Sequence, residues 1–234
     1  MNNLQLFADG IKPDKQYMDT IMDSYGIVGY TCNPTLVKQF VPMSYKDYCT
    51  SIIKNSRNYS VSIQTLSSNL EEIYQQAKTI SLWGNNVYVK IPVITENKQD
   101  TSEIIIKLLE EGIKINVTSI FTPEQVERLI KTGLNKTHDC ILSIFCGRIA
   151  DTGLVPNDVI SKINDKLQER GNIKLLWAGS RSSLDIHFAA QYCDIITLPQ
   201  SIIDKLKLKS KSLEEYTLET VKMFANDSKI FTLD

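Results

Sequence analysis

The chain has 234 residues, 42% of them hydrophobic, and its 26 basic side chains nearly balance 27 acidic ones. A chain of this length and composition can bury one large core, so a single domain is expected. The near-neutral charge excludes a general electrostatic attraction to nucleic acid or to an anionic membrane surface, and any anion site has to be local.

The first ten residues lack a basic segment followed by an apolar one, and no stretch approaches about 18 consecutive apolar residues. We therefore expect a cytoplasmic protein without a membrane partner. Five cysteines without a C-x-x-C pair predict reduced, mostly buried thiols. The only histidines, His138 and His187, have no acidic or cysteine neighbours at ligand spacing, so we expect neither a metal, a cofactor nor a Ser-His-Asp triad.

Eight short apolar segments alternate with longer amphipathic segments along the chain. They are mostly continuous in Val, Ile, Leu and aromatic residues, which is typical of strands covered on both faces in parallel sheets. The predicted strands are Leu4–Asp9, Gly26–Cys32, Tyr59–Thr65, Asn86–Pro92, Lys114–Phe121, Asp139–Phe145, Ile173–Gly179 and Asp194–Pro199.

Helical patterns lie between the strands, as at Asn69–Ile80, where hydrophobic residues recur at helical spacing. Ser102–Glu111 follows an Asp/Thr/Ser cluster that can cap a helix, and Pro123 suits the first turn of a helix reaching about Thr132. After the last strand, Lys211–Asn226 predicts one more helix. Its apolar stripe, expected to pack on the barrel or on a neighbouring subunit, comprises Leu213, Tyr216, Leu218, Val221 and Phe224.

Eight β-then-α units of about 27 residues predict an α/β fold in which residues 1–234 form a single (β/α)8 TIM barrel with an extra C-terminal helix at about 211–226. The competing fold is a doubly wound open sheet. That fold would normally have a glycine-rich first turn, whereas the first turn here reads Asp9-Gly10-Ile11-Lys12-Pro13. The barrel is therefore favoured.

Polar residues at the strand ends form the candidate site, because barrel proteins place their active sites at the C-terminal ends of the strands. Those expected to face one mouth are Asp9, Asn33, Gln64, Lys90, Asn116, Thr118, Ser143, Arg148, Ser180 and Arg181.

Lys90 is the most informative of these residues because it lies inside the apolar strand sequence Val87-Tyr88-Val89-Lys90-Ile91. An unprotonated lysine can attack a carbonyl and form an iminium ion, which accepts electrons during carbon–carbon cleavage. The alternative is a lysine whose ammonium reaches solvent from the strand end. The strand context alone leaves both interpretations open.

Asp9 ends the first strand and could take a proton from a sugar hydroxyl, or it could be a turn residue that caps the next helix. Arg148 and Arg181 stand beside Gly147 and Gly179, where barrels often bind phosphate. Surface ion pairing is the alternative for both arginines.

The strand ends resemble the transaldolase superfamily, particularly its small branch with fructose-6-phosphate aldolase and the short microbial transaldolases. The resemblance spans nearly the whole chain. The segments that carry it are Thr31-Cys32-Asn33-Pro34-Thr35, Val89-Lys90-Ile91-Pro92, Gly112-Ile113-Lys114-Ile115-Asn116-Val117-Thr118, Gly147-Arg148-Ile149 and Thr197-Leu198-Pro199.

The resemblance implies a class I aldolase mechanism, in which Lys90 forms a Schiff base with a ketose phosphate and Asp9 assists proton transfer. Asn33 would hydrogen-bond the bound carbon chain. Gln64 and Thr118 would position a catalytic water.

By the same resemblance, Arg148, with Arg181 and Ser180, would bind the phosphate. Asn116, Ser143 and Phe145, which lie at or near strand ends, are also expected to contact the substrate. The implied partners are phosphorylated ketoses and aldoses of carbohydrate metabolism, such as the pentose phosphate pathway. The resemblance also implies a homo-oligomer, a pentamer or a decamer, whose terminal helix reaches a neighbour.

Two positions discriminate between the branches of the family and disagree. Phe145 resembles transaldolases, since aldolases of this branch typically have tyrosine there, whereas Gln64 resembles the aldolase. A phenyl ring cannot donate a proton, so Phe145 favours a long-lived enamine and a transaldolase that transfers a dihydroxyacetone unit. The alternatives are a fructose-6-phosphate aldolase, and a sugar-phosphate-binding barrel impaired by Gln64 and by Gly179, which replaces a phosphate-binding serine.

Overall fold

A computed structural model of the chain describes residues 4–232 and shows eight parallel strands closed into a barrel in chain order. Closure is complete because β1 pairs with both β2 and β8. The strands are β1 Gln5–Asp9, β2 Ile27–Thr31, β3 Ser60–Gln64, β4 Val87–Pro92, β5 Ile115–Ile120, β6 Cys140–Ile144, β7 Ile173–Trp177 and β8 Ile195–Pro199.

Helices surround the barrel and connect its strands. They are α1 Lys15–Tyr25, α2 Pro34–Val37, α3 Tyr45–Asn55, α4 Leu70–Ser81, α5 Ser102–Glu110, α6 Pro123–Thr132, α7 Cys146–Asp151, α8 Pro156–Leu167, α9 Asp185–Ala189, α10 Gln200–Ile203 and α11 Leu213–Asp227. Short 3-10 segments occur at Lys38–Phe40, Leu206–Ser210 and Ser228–Ile230. The predicted fold class, a (β/α)8 barrel with an additional C-terminal helix, is confirmed.

Local chemistry accounts for several boundaries. Strand β7 ends two residues before the predicted end, and Gly179 there has a left-handed φ of 74°. Helix α4 begins where the Asn69 side chain accepts a hydrogen bond from the Glu72 amide at 3.1 Å. At α5, Asp100 rather than Thr101 accepts a bond from the first-turn amide of Ser102.

The barrel interior is layered along the strands. Phe7, Tyr88, Ile141 and Ile195 belong to one buried apolar cluster in its lower half. Two residues further along the same four strands stand Asp9, Lys90, Ser143 and Thr197. Because strand side chains alternate between the two faces, these residues point into the same interior, one layer nearer the C-terminal end.

The opposite faces of the strands pack under the helices. Ile63, Ile91 and Val117 are fully buried in the main hydrophobic core, and each such side chain contributes about 1.5–3 kcal/mol of burial free energy. The burial free energy of this outer core offsets the cost of placing polar side chains in the interior layer near the mouth.

Helix α11 differs from the other long helices because it buries none of its residues. Ser212 and Glu215 form a capping box at its start, so these two neighbouring residues determine where the helix begins. Its apolar stripe, including Leu213, Val221 and Phe224, is exposed. No helix within residues 4–232 is long and apolar enough to cross a membrane.

Candidate active site

Lys90 lies in the interior of the barrel, with only 4% of its surface exposed. Its strand neighbours Val89 and Ile91 are fully buried, and in register it stands between Gln64 on β3 and Asn116 on β5. None of the salt bridges formed within residues 4–232 includes Lys90. The amine is therefore buried without a carboxylate in direct contact.

Asp9 is the carboxyl group whose charge interacts with Lys90. Burial raises the pKa of Asp9 above its ordinary value of 3.8, and the Lys90 charge and a hydrogen bond from Thr31 partly offset this rise. The Thr31 hydroxyl donates to Asp9 Oδ1 at 2.7 Å. Since that proton is used, the Thr197 hydroxyl donates in turn to Thr31 Oγ1 at 2.6 Å. Asp9 is thus oriented from the side of β2 and β8.

Asn116 is held from both ends of its amide group. Its Nδ2 donates to Ser62 Oγ on β3 at 3.0 Å, and its Oδ1 accepts from Ser143 Oγ on β6 at 2.7 Å. All three side chains are buried. These two hydrogen bonds fix the orientation of the amide beside Lys90, and the amide keeps a second N–H donor and a second Oδ1 lone pair.

Thr118 follows Asn116 by two residues and faces Pro92 in register. Its hydroxyl is buried and has no hydrogen-bond partner within the described part of the chain. The next residue, Ser119, has a φ of 61°, and the β5–β6 register shifts there. Such a bulge re-aims side chains and stores about 1–3 kcal/mol of strain, a feature that clusters at functional sites.

Gln64 and Asn33 stand at the ends of β3 and β2. The backbone carbonyl of Gln64 accepts from the Tyr45 hydroxyl at 2.8 Å, which anchors the strand end on α3. Asn33 is the N-cap of α2, and its Oδ1 accepts from the Leu36 amide at 3.0 Å. One lone pair of Asn33 Oδ1 is therefore used for capping, and the second lone pair and the NH2 group are left for a ligand.

Arg148 is the arginine best suited to bind an anion. It is exposed on α7, and its guanidinium lies 5.9 Å from the centroid of the Phe145 ring. Phe145 packs in turn on Phe121, with 5.5 Å between ring centroids. No acidic side chain within residues 4–232 forms a salt bridge with Arg148. The aromatic pair supports the cation and leaves its hydrogen-bond donors available.

The other two predicted phosphate ligands, Arg181 and Ser180, already have partners in the structure. Arg181 pairs with Asp151 at 2.8 Å, and the Ser180 hydroxyl donates to the Thr197 carbonyl at 2.9 Å. Both members of the Arg181–Asp151 pair are more than half exposed, so the pair is weak and phosphate could displace it. A serine at position 179 would be strained by the positive φ.

Three buried hydroxyl residues of the interior layer were missing from the predicted site: Thr31, Ser62 and Thr197. They orient Asp9 and Asn116. A period-two signal was present for Ser62, because polar residues occupy every second position of Ser60-Val61-Ser62-Ile63-Gln64.

The cysteines are all free and buried in the structure. Cys32 has its Sγ 4.0 Å from Cys49 Sγ on α3 and belongs to the outer hydrophobic core. It therefore lies outside the layer that holds Lys90.

A closed parallel barrel with surrounding helices defines a (β/α)8 protein, and barrel enzymes carry their active sites at the C-terminal strand ends. A family model described as "Transaldolase/Fructose-6-phosphate aldolase" matches residues 6–233, and the chain belongs to this family.

Curated relatives cover most of the chain. A "Probable transaldolase" from Nitrosopumilus maritimus (strain SCM1) is 28% identical, with coverage of 86% of this chain and 89% of the relative. Another protein with that name, from Bdellovibrio bacteriovorus, is 30% identical, with 85% and 86% coverage.

Solved structures show the same fold at low sequence identity. A dihydrodipicolinate synthase has a TM-score of 0.60 at 9% identity and covers 100% of this chain and 85% of its own. A ligand-free tryptophan synthase from M. tuberculosis has a TM-score of 0.57 at 12% identity, with 88% and 87% coverage. These likenesses concern the fold alone.

The hydrogen bond from Thr31 should hold down the pKa of Asp9. We expect Thr31→Val to raise that pKa further and Lys90→Met to raise it as well, since each removes an interaction that favours the carboxylate. The Asp9 carboxyl carbon resonance, followed by NMR against pH, measures both changes. Because the folded pKa is the higher one, the free energy of unfolding falls as pH rises from the unfolded to the folded pKa.

Thr197→Val is the control, since its hydroxyl contacts Thr31 and not Asp9, and it should move the pKa less. A Thr31→Val variant with a lowered or unchanged Asp9 pKa would contradict this assignment.

Proposed function

We propose that the chain is a transaldolase that moves a dihydroxyacetone unit between phosphorylated sugars through a Schiff base on Lys90. The observation that carries the proposal is the buried Lys90 amine, which forms no salt bridge within residues 4–232 and lies within electrostatic range of the Asp9 carboxyl group, whose pKa is raised. The family membership supports the reaction class.

The first half-reaction needs a nucleophile and a group that moves protons. After losing its proton, the Lys90 amine adds to the ketone carbon of the donor sugar, and loss of water leaves an iminium ion. The ionised Asp9 carboxylate then takes the proton of the C4 hydroxyl as the C3–C4 bond breaks. The bond's electron pair passes to the iminium and forms an enamine, while the aldose phosphate leaves.

The second half-reaction runs in the opposite direction with a different aldehyde. The enamine carbon attacks the acceptor aldehyde, Asp9 returns its proton to the new hydroxyl, and water releases the product from Lys90. Gln64 on β3 and Thr118 on β5 flank the strand that carries Lys90. The Thr118 hydroxyl has no hydrogen-bond partner in the described part of the chain, which supports a role for the two side chains in holding that water.

Phosphate recognition is assigned to Arg148, whose guanidinium lacks an acidic partner in the described structure and rests on Phe145. Arg181 would join it after exchanging Asp151 for phosphate. The proposed substrates are phosphorylated ketoses and aldoses of carbohydrate metabolism, as in the pentose phosphate pathway, in the cytoplasm.

A second candidate activity is that of a fructose-6-phosphate aldolase, favoured by Gln64. The two activities differ in the fate of the enamine. Phe145 offers no proton to the enamine carbon, and its ring is packed between Phe121 and Arg148. This environment supports a long-lived enamine and transfer to an acceptor.

We also propose that the chain assembles into a homo-oligomer, a pentamer or a decamer, through α11. The support is an exposed apolar stripe on a helix that buries no residue of its own. Stripes of this kind commonly mark protein interfaces.

Covalent trapping tests the Schiff base. Borohydride added with fructose 6-phosphate should reduce the iminium and leave an adduct on Lys90, located by peptide mass spectrometry. Lys90→Met should abolish the adduct and lower turnover by at least about 10²-fold. Lys174→Met is the matched control, since Lys174 lies on β7 at the opposite end of the barrel, and it should leave trapping intact. A folded protein that binds ketose phosphates without any adduct is a binding barrel, not an enzyme of this mechanism.

Product analysis separates transfer from cleavage. With fructose 6-phosphate alone we expect little free dihydroxyacetone, and with an added aldose phosphate we expect a new ketose phosphate. Phe145→Tyr introduces a hydroxyl that can protonate the enamine, so release of dihydroxyacetone should rise about tenfold or more. Phe121→Tyr serves as the control in the neighbouring ring. Rapid release by the unaltered chain would favour the aldolase.

Assembly through α11 is tested by light scattering on the whole chain. A Val221→Glu and Phe224→Glu double variant places two charges on the stripe and should shift the chain to smaller species. Lys222→Glu, a charge change between them on the same exposed helix, should leave the mass unaltered. An unchanged mass in the double variant would rule out this interface.

A further inference from the structure

Helix α3 carries two tyrosines whose hydroxyl groups reach the strand ends on either side of β2. Tyr45 and Tyr48 are three residues apart, so they lie on the same side of the helix. The Tyr45 hydroxyl donates to the Gln64 carbonyl at the end of β3, at 2.8 Å. The Tyr48 hydroxyl donates to the Ile11 carbonyl in the loop after β1, also at 2.8 Å. One helix is therefore bonded to the two segments that carry Asp9 and Gln64.

The loop after β1 is held closely where it leaves Asp9. The Gly10 amide donates to the Thr31 carbonyl on β2 at 2.9 Å, and the Gly10 carbonyl accepts from Gln39 Nε2 at 3.3 Å. Gly10 has a left-handed φ of 57°, and a Cβ there would lie 2.5 Å from Leu36 Cβ. The peptide group that follows Asp9 therefore has little room to move.

Tyr48 fixes the next part of this loop. The residue is 1% exposed, and its ring stacks on Phe40 with 5.2 Å between the ring centroids. Burial raises the pKa of Tyr48 above its ordinary value of 10.0, so the hydroxyl stays protonated and remains a donor. Ile11, which supplies the acceptor, is also 1% exposed. Breaking this bond would leave a donor and an acceptor unpaired in the core, so the bond holds the loop firmly.

Tyr45 fixes the end of β3. Burial raises the pKa of this tyrosine too, and its side chain packs against the main hydrophobic core. Gln64, whose carbonyl it holds, is the register partner of Lys90, and the next amide, that of Thr65, donates to the Lys90 carbonyl at 3.0 Å. The Tyr45 bond therefore helps to determine where the Gln64 side chain starts relative to Lys90.

Small displacements at these two strand ends matter for a reaction that moves protons. In the proposed reaction, Asp9 has to reach the C4 hydroxyl and Gln64 has to hold a water, each within hydrogen-bond distance. A misplacement of about 1 Å can slow such a step by about 10²-fold. The Thr31 hydroxyl orients the Asp9 carboxylate, whereas the main chain that carries Asp9 is positioned by the loop bonds.

We propose that Tyr48 and Tyr45 are positioning residues for the reaction at Lys90. Tyr48 holds Asp9 for carbon–carbon cleavage, and Tyr45 holds Gln64 for formation and hydrolysis of the Schiff base. The two hydroxyls act on different steps because each is bonded to a segment that carries a different group. This inference rests on the proposed function and extends it to residues outside the barrel interior.

Single-turnover kinetics with fructose 6-phosphate separate the two steps. Quenching with borohydride measures Schiff-base formation as an adduct on Lys90, and released glyceraldehyde 3-phosphate measures C3–C4 cleavage. Tyr48→Phe should leave adduct formation at its normal rate and slow cleavage about tenfold, so that the six-carbon adduct accumulates. Tyr45→Phe should slow adduct formation about fivefold and leave cleavage of the formed adduct unaltered.

Tyr74→Phe is the matched control. Tyr74 is also a buried tyrosine on an outer helix, but its hydroxyl donates to the Glu111 carboxylate rather than to a strand-end carbonyl, so both rates should stay unaltered. Gln39→Ala removes a bond to the same loop from an exposed position, which tests the loop even where Tyr48→Phe folds poorly. It should slow cleavage about twofold or more.

The inference is overturned by a Tyr48→Phe variant that cleaves its adduct at the normal rate. Equal losses in both steps for both tyrosine variants would also overturn it, since they would indicate a general loosening of the barrel. If the unaltered chain forms no adduct on Lys90, the proposed function and this inference fall together. If the adduct forms and the tyrosine variants behave normally, the proposed function stands and only the positioning roles fall.

Discussion

Closure of the eight-stranded parallel ladder is the constraint on which the site depends. When β1 pairs with β8, alternate side chains of every strand must share one enclosed interior, whatever their polarity. The lower layer satisfies this with Phe7, Tyr88 and Ile141, while the next layer holds Asp9 and Lys90. The large outer core under the helices supplies the burial free energy that allows this polar layer.

Within the polar layer, neutral hydrogen bonds do most of the positioning. Asn116 is fixed by Ser62 and Ser143, and Asp9 is fixed by Thr31, so neither group needs Lys90 as a partner. This arrangement leaves the lysine amine available for chemistry while a carboxyl group of raised pKa remains close enough to influence it. The proposed phosphate site is less preorganised, because Arg181 is engaged with Asp151 at the surface.

Sequence reasoning succeeded where one residue or one segment carried the signal. A charged side chain inside an apolar strand singled out Lys90, which the structure buries in the barrel interior. Continuous apolar segments located all eight strands to within about two residues. It missed Ser62, Thr31 and Thr197, because a serine or threonine in a strand is common and acquires meaning only from the partner it meets across the barrel. Ion pairing was an open alternative for Arg181, but its partner Asp151 could not be named, since those residues are 30 positions apart.

The sequence by itself determined the barrel, the strand that carries Lys90 and the family, because hydrophobic periodicity and short motifs are local properties of the chain. Only the tertiary structure decided which hydroxyls orient Asp9 and Asn116, that Cys32 turns toward Cys49, and that Arg181 pairs with Asp151. Those outcomes depend on contacts between distant strands and helices, and such contacts are set by closure and packing rather than by neighbouring residues.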